Sequence, residues 1–448
     1  MEKLKASRYN FFFEEDGVIF AFNALTGGFA TLSPEVAERM KEMMEKKEVS
    51  PDGLPEELLR DLKRGAFLVP EDFDELEFIR YRDKVGRFAN NVLELTILPT
   101  TKCNFQCIYC YETPGRESMT KETADKVVAL VKDASKAIKQ LIVTWYGGEP
   151  LLELDLMVSM SRRFLEICRE EKLSYIGNLV TNGYLINRKN MEAIKSLHLE
   201  SVQVTLDGPP EVHDARRPLR GGGPTCDVIV EGIKLLGEAN IPVAVRVNID
   251  KENEEAIPLL FDYLFNKKGI PRDRVTVYFG HTHSDTPTCA GFASECVDTK
   301  EFSDVELKGY KYALDYGLPI AKVARVRPTA CGATSPHSLV IDPSGNLYKC
   351  WLEIGNPADS VGKLRDDGRV DYNMPVLLKW VSWDVFQYPQ CRSCKFLPVC
   401  MGGCPYRAEL FKSGDCRPAK YNLRQMLRYH YQYLSRIKGK AATAAERG

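Results

Sequence analysis

Three cysteines fall within one short stretch, Thr101-Lys-Cys-Asn-Phe-Gln-Cys-Ile-Tyr-Cys-Tyr-Glu112, in a C-x3-C-x2-C spacing. Three thiolates on one loop can each bind one iron of a cubic [4Fe–4S] cluster, for which cysteine is the usual ligand. The fourth iron then has no protein ligand and is open to a bound molecule. The run Val92-Leu-Glu-Leu-Thr-Ile-Leu98 before the loop reads as a strand, and Pro99 stops it. A metal loop after a β-strand is what a barrel with its site at the strand C-termini requires. The alternative is a zinc site or scattered core thiols, and a second, longer cysteine array downstream argues against both.

The following pattern agrees with a barrel. Residues 92–280 alternate strand and helix, with further strand runs at 141–146, 173–180, 201–206, 243–249 and 275–279. Thr120 is placed to cap a helix whose Ala124, Val127, Val128, Val131 and Ala134 share one face. Other helical stretches fall around 155–170, 187–196, 224–238 and 253–267. Repeated β–α units imply a parallel sheet with right-handed crossovers and an α/β fold.

Residues 1–85 read as a separate unit. Asn10–Phe13 and Val18–Phe22 flank Glu14-Glu-Asp-Gly17, a hairpin signal with Asp-Gly at the turn. Ser33-Pro34 opens a helix, Leu58–Leu68 is a short amphipathic helix, and the charged segment 73–90 is a helical linker.

The cysteine loop resembles that of the radical S-adenosylmethionine (radical SAM) superfamily, in which an aromatic residue precedes the third cysteine, as Tyr109 does. The resemblance implies a partial (β/α)6 barrel over 92–280 and a cluster on Cys103, Cys107 and Cys110. The open iron would chelate the amino and carboxylate groups of SAM. Reductive cleavage would then give methionine and a 5′-deoxyadenosyl radical that abstracts hydrogen. Gly147-Gly-Glu-Pro150, after the second strand, resembles the family's GGE motif, so Gly147, Gly148 and Glu149 are expected at SAM. Thr181 and Asn182 after the third strand, and Asp207 after the fourth, are expected near its ribose and methionine, or are plain turn residues. Arg216 lies in Asp207–Arg217, which resembles a segment frequent in peptide-modifying members; it contacts a SAM carboxylate or pairs with Asp214. Arg246 and Asn248, on the fifth strand, are SAM contacts or members of an internal salt bridge. His281 and His283 look like a metal pair, but residues two apart on a strand end should point to opposite sides.

A second array is C-terminal. Cys331 precedes the hairpin-like run Ser338–Cys350, and Cys391, Cys394, Cys400, Cys404 and Cys416 follow. This resembles the seven-cysteine SPASM domain, over residues 331–426, which carries auxiliary clusters in radical SAM enzymes that act on peptides. The resemblance assigns Cys391, Cys394, Cys400 and Cys416 to an outer cluster and Cys331, Cys350 and Cys404 to an inner one. Two fully ligated clusters need eight thiolates. The eighth would come from the bridge at 281–330, where Cys296 is preferred to Cys289; otherwise the inner cluster keeps an open iron. Cys168 and Cys226 read as core thiols. Three [4Fe–4S] clusters and SAM are thus implied. Residues 427–448 should be a helix end, to about Lys438, and a disordered tail.

A formal net charge of -1 over 448 residues argues against a general affinity for nucleic acid or anionic membrane. Fourteen cysteines without an export signal suit a reducing cytoplasm and metal ligation. Residues 1–85 resemble, loosely, the winged-helix-like domain by which peptide-modifying members hold a leader peptide on a sheet edge; a plain capping subdomain is the alternative. The resemblance implies a maturase that crosslinks a ribosomally made precursor peptide through a thioether or carbon–carbon bond, fed by a flavodoxin or ferredoxin. No general base is assigned. The runner-up is an anaerobic sulfatase-maturating enzyme, which typically has Asp where this chain has Trp351. A non-catalytic electron carrier, which would not cleave SAM, is a reading of a different class, and a SPASM enzyme acting on a small quinone-cofactor precursor peptide is the third possibility.

Overall fold

The computed structural model describes residues 3–45, 54–113, 115–320 and 325–445. The chain divides into two compact units. One comprises Met1–Arg87, Lys322–Cys331 and Asp384–Gly448; the other comprises Phe88–Ala321 and Gly332–Trp383. The C-terminal cysteine array is therefore divided, with residues 332–383 in the second unit and 384–448 clustering with residues 1–87.

The strands of the first unit are β1 (Leu4–Ala6), β2 (Asn10–Glu15), β3 (Val18–Asn23), β4 (Gly28–Leu32) and β5 (Leu68–Pro70). β2, β3 and β4 form an antiparallel sheet in that order, and β1 pairs with β5. The hairpin turn is as expected: Asp16 and Gly17 have φ of 51° and 72°, the two left-handed residues a tight hairpin requires. This fixes the register, and Phe13 stacks on Phe20 at 5.2 Å across the pair. Tyr431, from the helix Ala419–Ala445, meets Phe20 edge-on at 5.3 Å. Ala21, on the opposite face, joins Leu4, Met40, Leu62, Phe67 and Leu68 in a second core.

Three expectations change here. The helix read over 58–68 is Glu56–Arg64, because Gly65 and then Ala66, at φ 55°, reverse the chain into β5. The segment read as a linker is a packed helix, Glu75–Phe88. Its Glu75, Ile79, Asp83 and Arg87 form a buried i, i+4 stripe, with Arg87 paired to Asp83 at 3.1 Å. The C-terminal helix runs past Lys438 to Ala445, while 446–448 lie outside the described residues.

The second unit contains β6 (Val92–Ile97), β7 (Gln140–Trp145), β8 (Ser174–Thr181), β9 (Leu199–Thr205), β10 (Val243–Ile249) and β11 (Val275–His281). They are parallel neighbours in sequence order. The sheet also continues beyond β6. β12 (Ser338–Ile341) adds in parallel, and β13 (Asn346–Tyr348), β14 (Gly362–Leu364) and β15 (Val370–Tyr372) follow antiparallel, giving ten strands. The hairpin expected at 338–350 is present as β12 and β13. Its partner strand was not readable, since β6 lies some 240 residues earlier.

Alternation along the strands shows where a ligand can enter. Leu93, Leu95, Ile97, Leu141, Val143, Trp145, Val243, Val245 and Val247 are buried. The other face carries the polar, half-buried Glu94, Thr144, Asn178, Gln203 and Arg246, with the apolar Ile142 and Ala244 and the buried Thr96 among them. One face is thus a dry core, and the other is a largely polar inner wall that water still reaches. No described helix is long and apolar enough to cross a membrane.

Leu95 is completely buried in the middle of β6. Leu95→Ala should cost about 2–5 kcal/mol of stability, read as a lowered denaturation midpoint with an unchanged transition slope.

Candidate active site

The three-cysteine loop leaves β6 and is clamped at both ends. Met119 N–H donates to Pro99 C=O at 2.8 Å, and Thr101 N–H donates to Glu117 C=O at 3.0 Å. Gly147 and Gly148, after β7, lie directly on the loop's entry. Gly148 N–H donates to Thr100 C=O (3.3 Å) and Glu149 N–H to Lys102 C=O (2.9 Å). A Cβ on Gly147 would come within 2.4 Å of Thr100 O, and one on Gly148 within 2.3 Å of Lys102 O. The two glycines therefore allow backbone to meet backbone.

Glu149 is fully buried and its carboxylate is occupied by the protein. Leu151 N–H (3.0 Å) and Thr181 Oγ1 (2.7 Å) donate to Oε1, and Asn182 N–H (2.8 Å) donates to Oε2. Asn182 Nδ2 in turn donates to Asn104 Oδ1 on the cysteine loop at 2.7 Å. Glu149, expected as a cofactor contact, ties the ends of β7 and β8 to that loop.

A second buried network starts at Tyr109. Its hydroxyl donates to Asp207 Oδ2 and accepts from Arg217 Nη1 at 2.7 Å and Asn248 Nδ2 at 3.0 Å. Asn248 N–H donates to the other Asp207 oxygen at 3.0 Å, and Arg246 Nε donates to Asn248 Oδ1 at 2.7 Å. Arg216 lies over the Tyr109 ring at 5.3 Å and forms a two-pronged pair with Asp250. The proposed Asp214 partner is wrong: Asp214 Oδ1 accepts from Thr225 and Cys226 N–H groups at the start of the next helix. Sequence reasoning missed Arg217 and Asp250. Asp250 had a usable signal, as the residue just past a strand C-terminus. Burial raises the Tyr109 phenol well above its ordinary value, although Arg217 opposes this, so the hydroxyl keeps its proton.

Burial pushes the Cys103 and Cys110 thiols up to about 12; Cys107 adds to the rise of both, and Cys103 to that of Cys110. Burial raises Cys107 too, opposed by Arg217. Bare, these thiols are protonated at neutral pH, and a bound cation must displace the protons. Among the described residues no three Cys, His, Asp or Glu side chains converge closely enough to hold one metal ion. A zinc tetrahedron is therefore not preformed, whereas a multi-iron cluster can bridge more widely spaced thiols. Asn104 Nδ2 and Arg217 Nε are buried donors with no hydrogen-bond acceptor among the described residues, as a ligand bearing oxygen atoms requires. The residues present thus fit both an iron–sulfur cluster and a polar ligand beside it.

In the first unit, burial pushes Cys391 up to about 11, with Cys400, Cys394 and Cys416 each adding to the rise. Cys391 therefore lies within electrostatic reach of the other three thiols of the expected outer set. Phe396 N–H donates to Cys394 Sγ at 3.4 Å, and Lys420 Nζ donates to Cys416 Sγ at 3.3 Å. Cys331 raises Cys404 in the same unit. In the second unit, Cys289 is buried, and its sulfur interacts with Thr286 Oγ1 (3.3 Å) and the Thr286 carbonyl (3.4 Å). Cys296 is half-buried, its thiol 3.5 Å from the Phe292 carbonyl. Cys168 and Cys226 are buried on helices, as expected of core thiols.

Beyond the cysteine loop stands an aromatic wall. The Tyr111 and Tyr146 hydroxyls bond to each other, and Trp351 stacks on Tyr146 at 5.4 Å while 45% exposed. Burial raises the Glu112 carboxyl to about 7 and that of Glu353 to about 8. The expectation for the two histidines fails. Their rings lie 3.9 Å apart, because β11 ends at His281 and strand alternation no longer governs His283. His281 stacks on Phe302 at 4.6 Å, and its Nε2 bonds the Val297 carbonyl at 2.7 Å.

Residues 97–264 match the family model of the radical SAM superfamily. The chain is 30% identical to Fe-coproporphyrin III synthase of Methanosarcina barkeri over 39% of this chain and 41% of that enzyme, so it spans less than half of that relative. It is 26% identical to a PqqA peptide cyclase of Rhodopseudomonas palustris over 69% of this chain and 81% of the relative. Its fold is similar to that of Streptococcus suis SuiB bound to precursor peptide SuiA, with a TM-score of 0.53 at 15% identity, covering 93% of this chain and 98% of that one.

Gly148→Ala should displace Lys102 and the cysteine that follows, since the added methyl has only backbone to meet. The variant should lose the iron held by this loop, read as lower iron per chain after anaerobic reconstitution, together with a lowered unfolding midpoint because backbone must shift to admit the methyl.

Proposed function

We propose, from the premise that residues 97–264 are a radical SAM domain, that this chain is a peptide maturase that installs a thioether or carbon–carbon crosslink in a ribosomally made precursor. When bound, the cluster and SAM supply reductive cleavage to methionine and a hydrogen-abstracting 5′-deoxyadenosyl radical. Everything else falls to the chain's own residues: placement, and exclusion of water and oxygen.

Cys103, Cys107 and Cys110 would hold the first cluster. Gly147 and Gly148 keep the backbone close to it, and Glu149, Asp207 and Arg216 are positioning residues through their buried bonds. Thr181, Asn182 and Asn248 at strand C-terminal ends, Arg246 within β10 and Tyr109 on the cysteine loop would contact SAM. The outer auxiliary cluster would use Cys391, Cys394, Cys400 and Cys416. The inner one would use Cys331, Cys350 and Cys404, with Cys296 as the eighth thiolate; Cys289 is less available because it is buried and bonded. An acidic carrier such as flavodoxin or ferredoxin would bring the electron, and a reducing cytoplasm would preserve the thiols.

The observation that carries this reading is the joining of the cysteine loop, by two buried networks, to strand ends that open onto a polar, water-accessible inner wall. Similarity to a peptide cyclase over 69% of the chain supports a peptide as substrate. Sulfatase maturation is disfavoured by Trp351, which offers a stacked indole where a carboxylate base is needed.

The test is anaerobic co-expression with the small peptide encoded nearest to this chain, followed by intact and fragment mass measurement. The expected product lacks two hydrogens and resists fragmentation between two residues. An unchanged peptide, together with conversion of a sulfatase-derived Cys or Ser peptide to formylglycine, would overturn the proposal in favour of the runner-up.

A further inference from the structure

Lys420, in the first unit, has no role in the reading above, and its position is electrostatically unusual. It stands in the first turn of the helix Ala419–Ala445, a turn that holds no acidic residue. Its backbone N–H donates to the Arg417 carbonyl at 3.0 Å, which fixes the chain just after Cys416. A helix N-terminus carries positive partial charge, so a lysine there is unfavourable unless an anion lies beside it. Lys420 has no carboxylate partner among the described residues. Its ammonium lies over the Tyr421 ring at 5.9 Å and donates to Cys416 Sγ at 3.3 Å.

The charges around it sharpen the contrast. Asp415, next to Cys416 in sequence, is engaged elsewhere: its carboxylate accepts from Cys404 N–H and from Arg407 Nε, both at 3.2 Å. Arg417 gives its donors to the main-chain carbonyls of Cys400, Gly403 and Ala330, and so holds the shape of the cysteine segment. Lys420 instead gives a hydrogen bond to a sulfur. The cleft beside it is lined by three more cations, Lys41, Lys395 and Arg424, and by no carboxylate. Cys416 thus lies in a positive field with one charged donor aimed at its sulfur.

We propose that Lys420 is a positioning residue for electron transfer: by donating to Cys416 Sγ it raises the reduction potential of the outer auxiliary cluster. Closing one crosslink removes two hydrogens from the peptide. One leaves as an atom to the 5′-deoxyadenosyl radical. The other leaves as a proton and an electron, and the electron needs a site that holds it. One-electron reduction adds negative charge to an iron–sulfur group, and hydrogen bonds to its sulfurs together with nearby charge set its potential. Lys420 therefore favours the reduced form at the outer set of cysteines, keeping its own proton throughout. The inference rests on the maturase reading and its outer ligand set, and adds the residue that sets the potential there.

The experiment uses the full chain, reconstituted anaerobically, titrated with dithionite in the presence of redox dyes and read by electron paramagnetic resonance. Changing Cys391 and Cys394 together to alanine should erase one auxiliary signal, which assigns that signal to the outer cluster. Lys420→Gln should keep the wild-type iron content and make the same signal roughly tenfold less reduced at a given poise, or ~59 mV lower for a one-electron couple. Lys420→Arg, which keeps the charge and the donor, should recover most of that shift. Lys395→Gln removes a cleft cation that bonds no sulfur among the described residues, and should move the signal much less. An unmoved potential in Lys420→Gln, an equal shift in Lys395→Gln, or a Lys420→Gln chain that simply loses the outer iron would overturn the proposal. A chain whose iron and signals ignore the loss of Cys391 and Cys394 would remove the proposal together with its outer ligand set. An unmoved potential in a chain that still crosslinks the co-expressed peptide would remove this inference and leave the maturase reading standing.

Discussion

The Tyr109 hydroxyl is the junction on which the site depends. It sits inside the cysteine loop, yet all its partners come from elsewhere: Asp207 after β9, Arg217 at the end of the following helix, and Asn248 on β10. Each would be costly to bury alone. An unpaired arginine or carboxylate in such a place destabilises by several kcal/mol, whereas a mutually paired set defines one geometry. The loop is therefore held by the sheet and not by its own short-range structure. The Glu149 network does the same on the other side, joining β7 and β8 to Asn104. Between them the two networks fix the backbone that carries the three cysteines, of which Cys103 and Cys107 are half-buried and Cys110 is exposed.

The same constraint explains the division of polarity along the strands. One set of side chains is apolar and packed under helices, and the alternate set is largely polar and half-wet. A filled barrel would bury both. Here the inner wall stays available for a molecule large enough to need it, and the aromatic group of Tyr111, Tyr146 and Trp351 lies near the loop that would generate the radical.

Much of this was legible in the sequence because it is local. The C-x3-C-x2-C spacing, the Gly-Gly pair after a strand, the Asp-Gly turn and the six apolar strand runs each express a short-range rule, and each appears where it was read. What was not legible is partnership at a distance. Arg216 had a carboxylate two residues away and chose Asp250, 34 positions on, because the helix start had claimed Asp214. The 75–88 helix looked like a charged linker because its buried stripe includes Asp83 and Arg87, which neutralise one another. β12 could not be placed beside β6, since a parallel neighbour leaves no local signature. The histidine rings met because the strand stopped between them, a boundary that alternation alone cannot fix.

The central claim is that the loop of Cys103, Cys107 and Cys110 drives chemistry on SAM, with the remaining cysteines in support. It is tested most directly by incubating the anaerobically reconstituted, dithionite-reduced protein with SAM and measuring 5′-deoxyadenosine and methionine, alongside a variant with these three cysteines changed to alanine. The account predicts both products from the wild-type chain and neither from the variant, even though the variant keeps the iron bound to its C-terminal cysteines. Cleavage that survives the triple substitution, or a fully iron-loaded wild-type chain that leaves SAM intact, would contradict it.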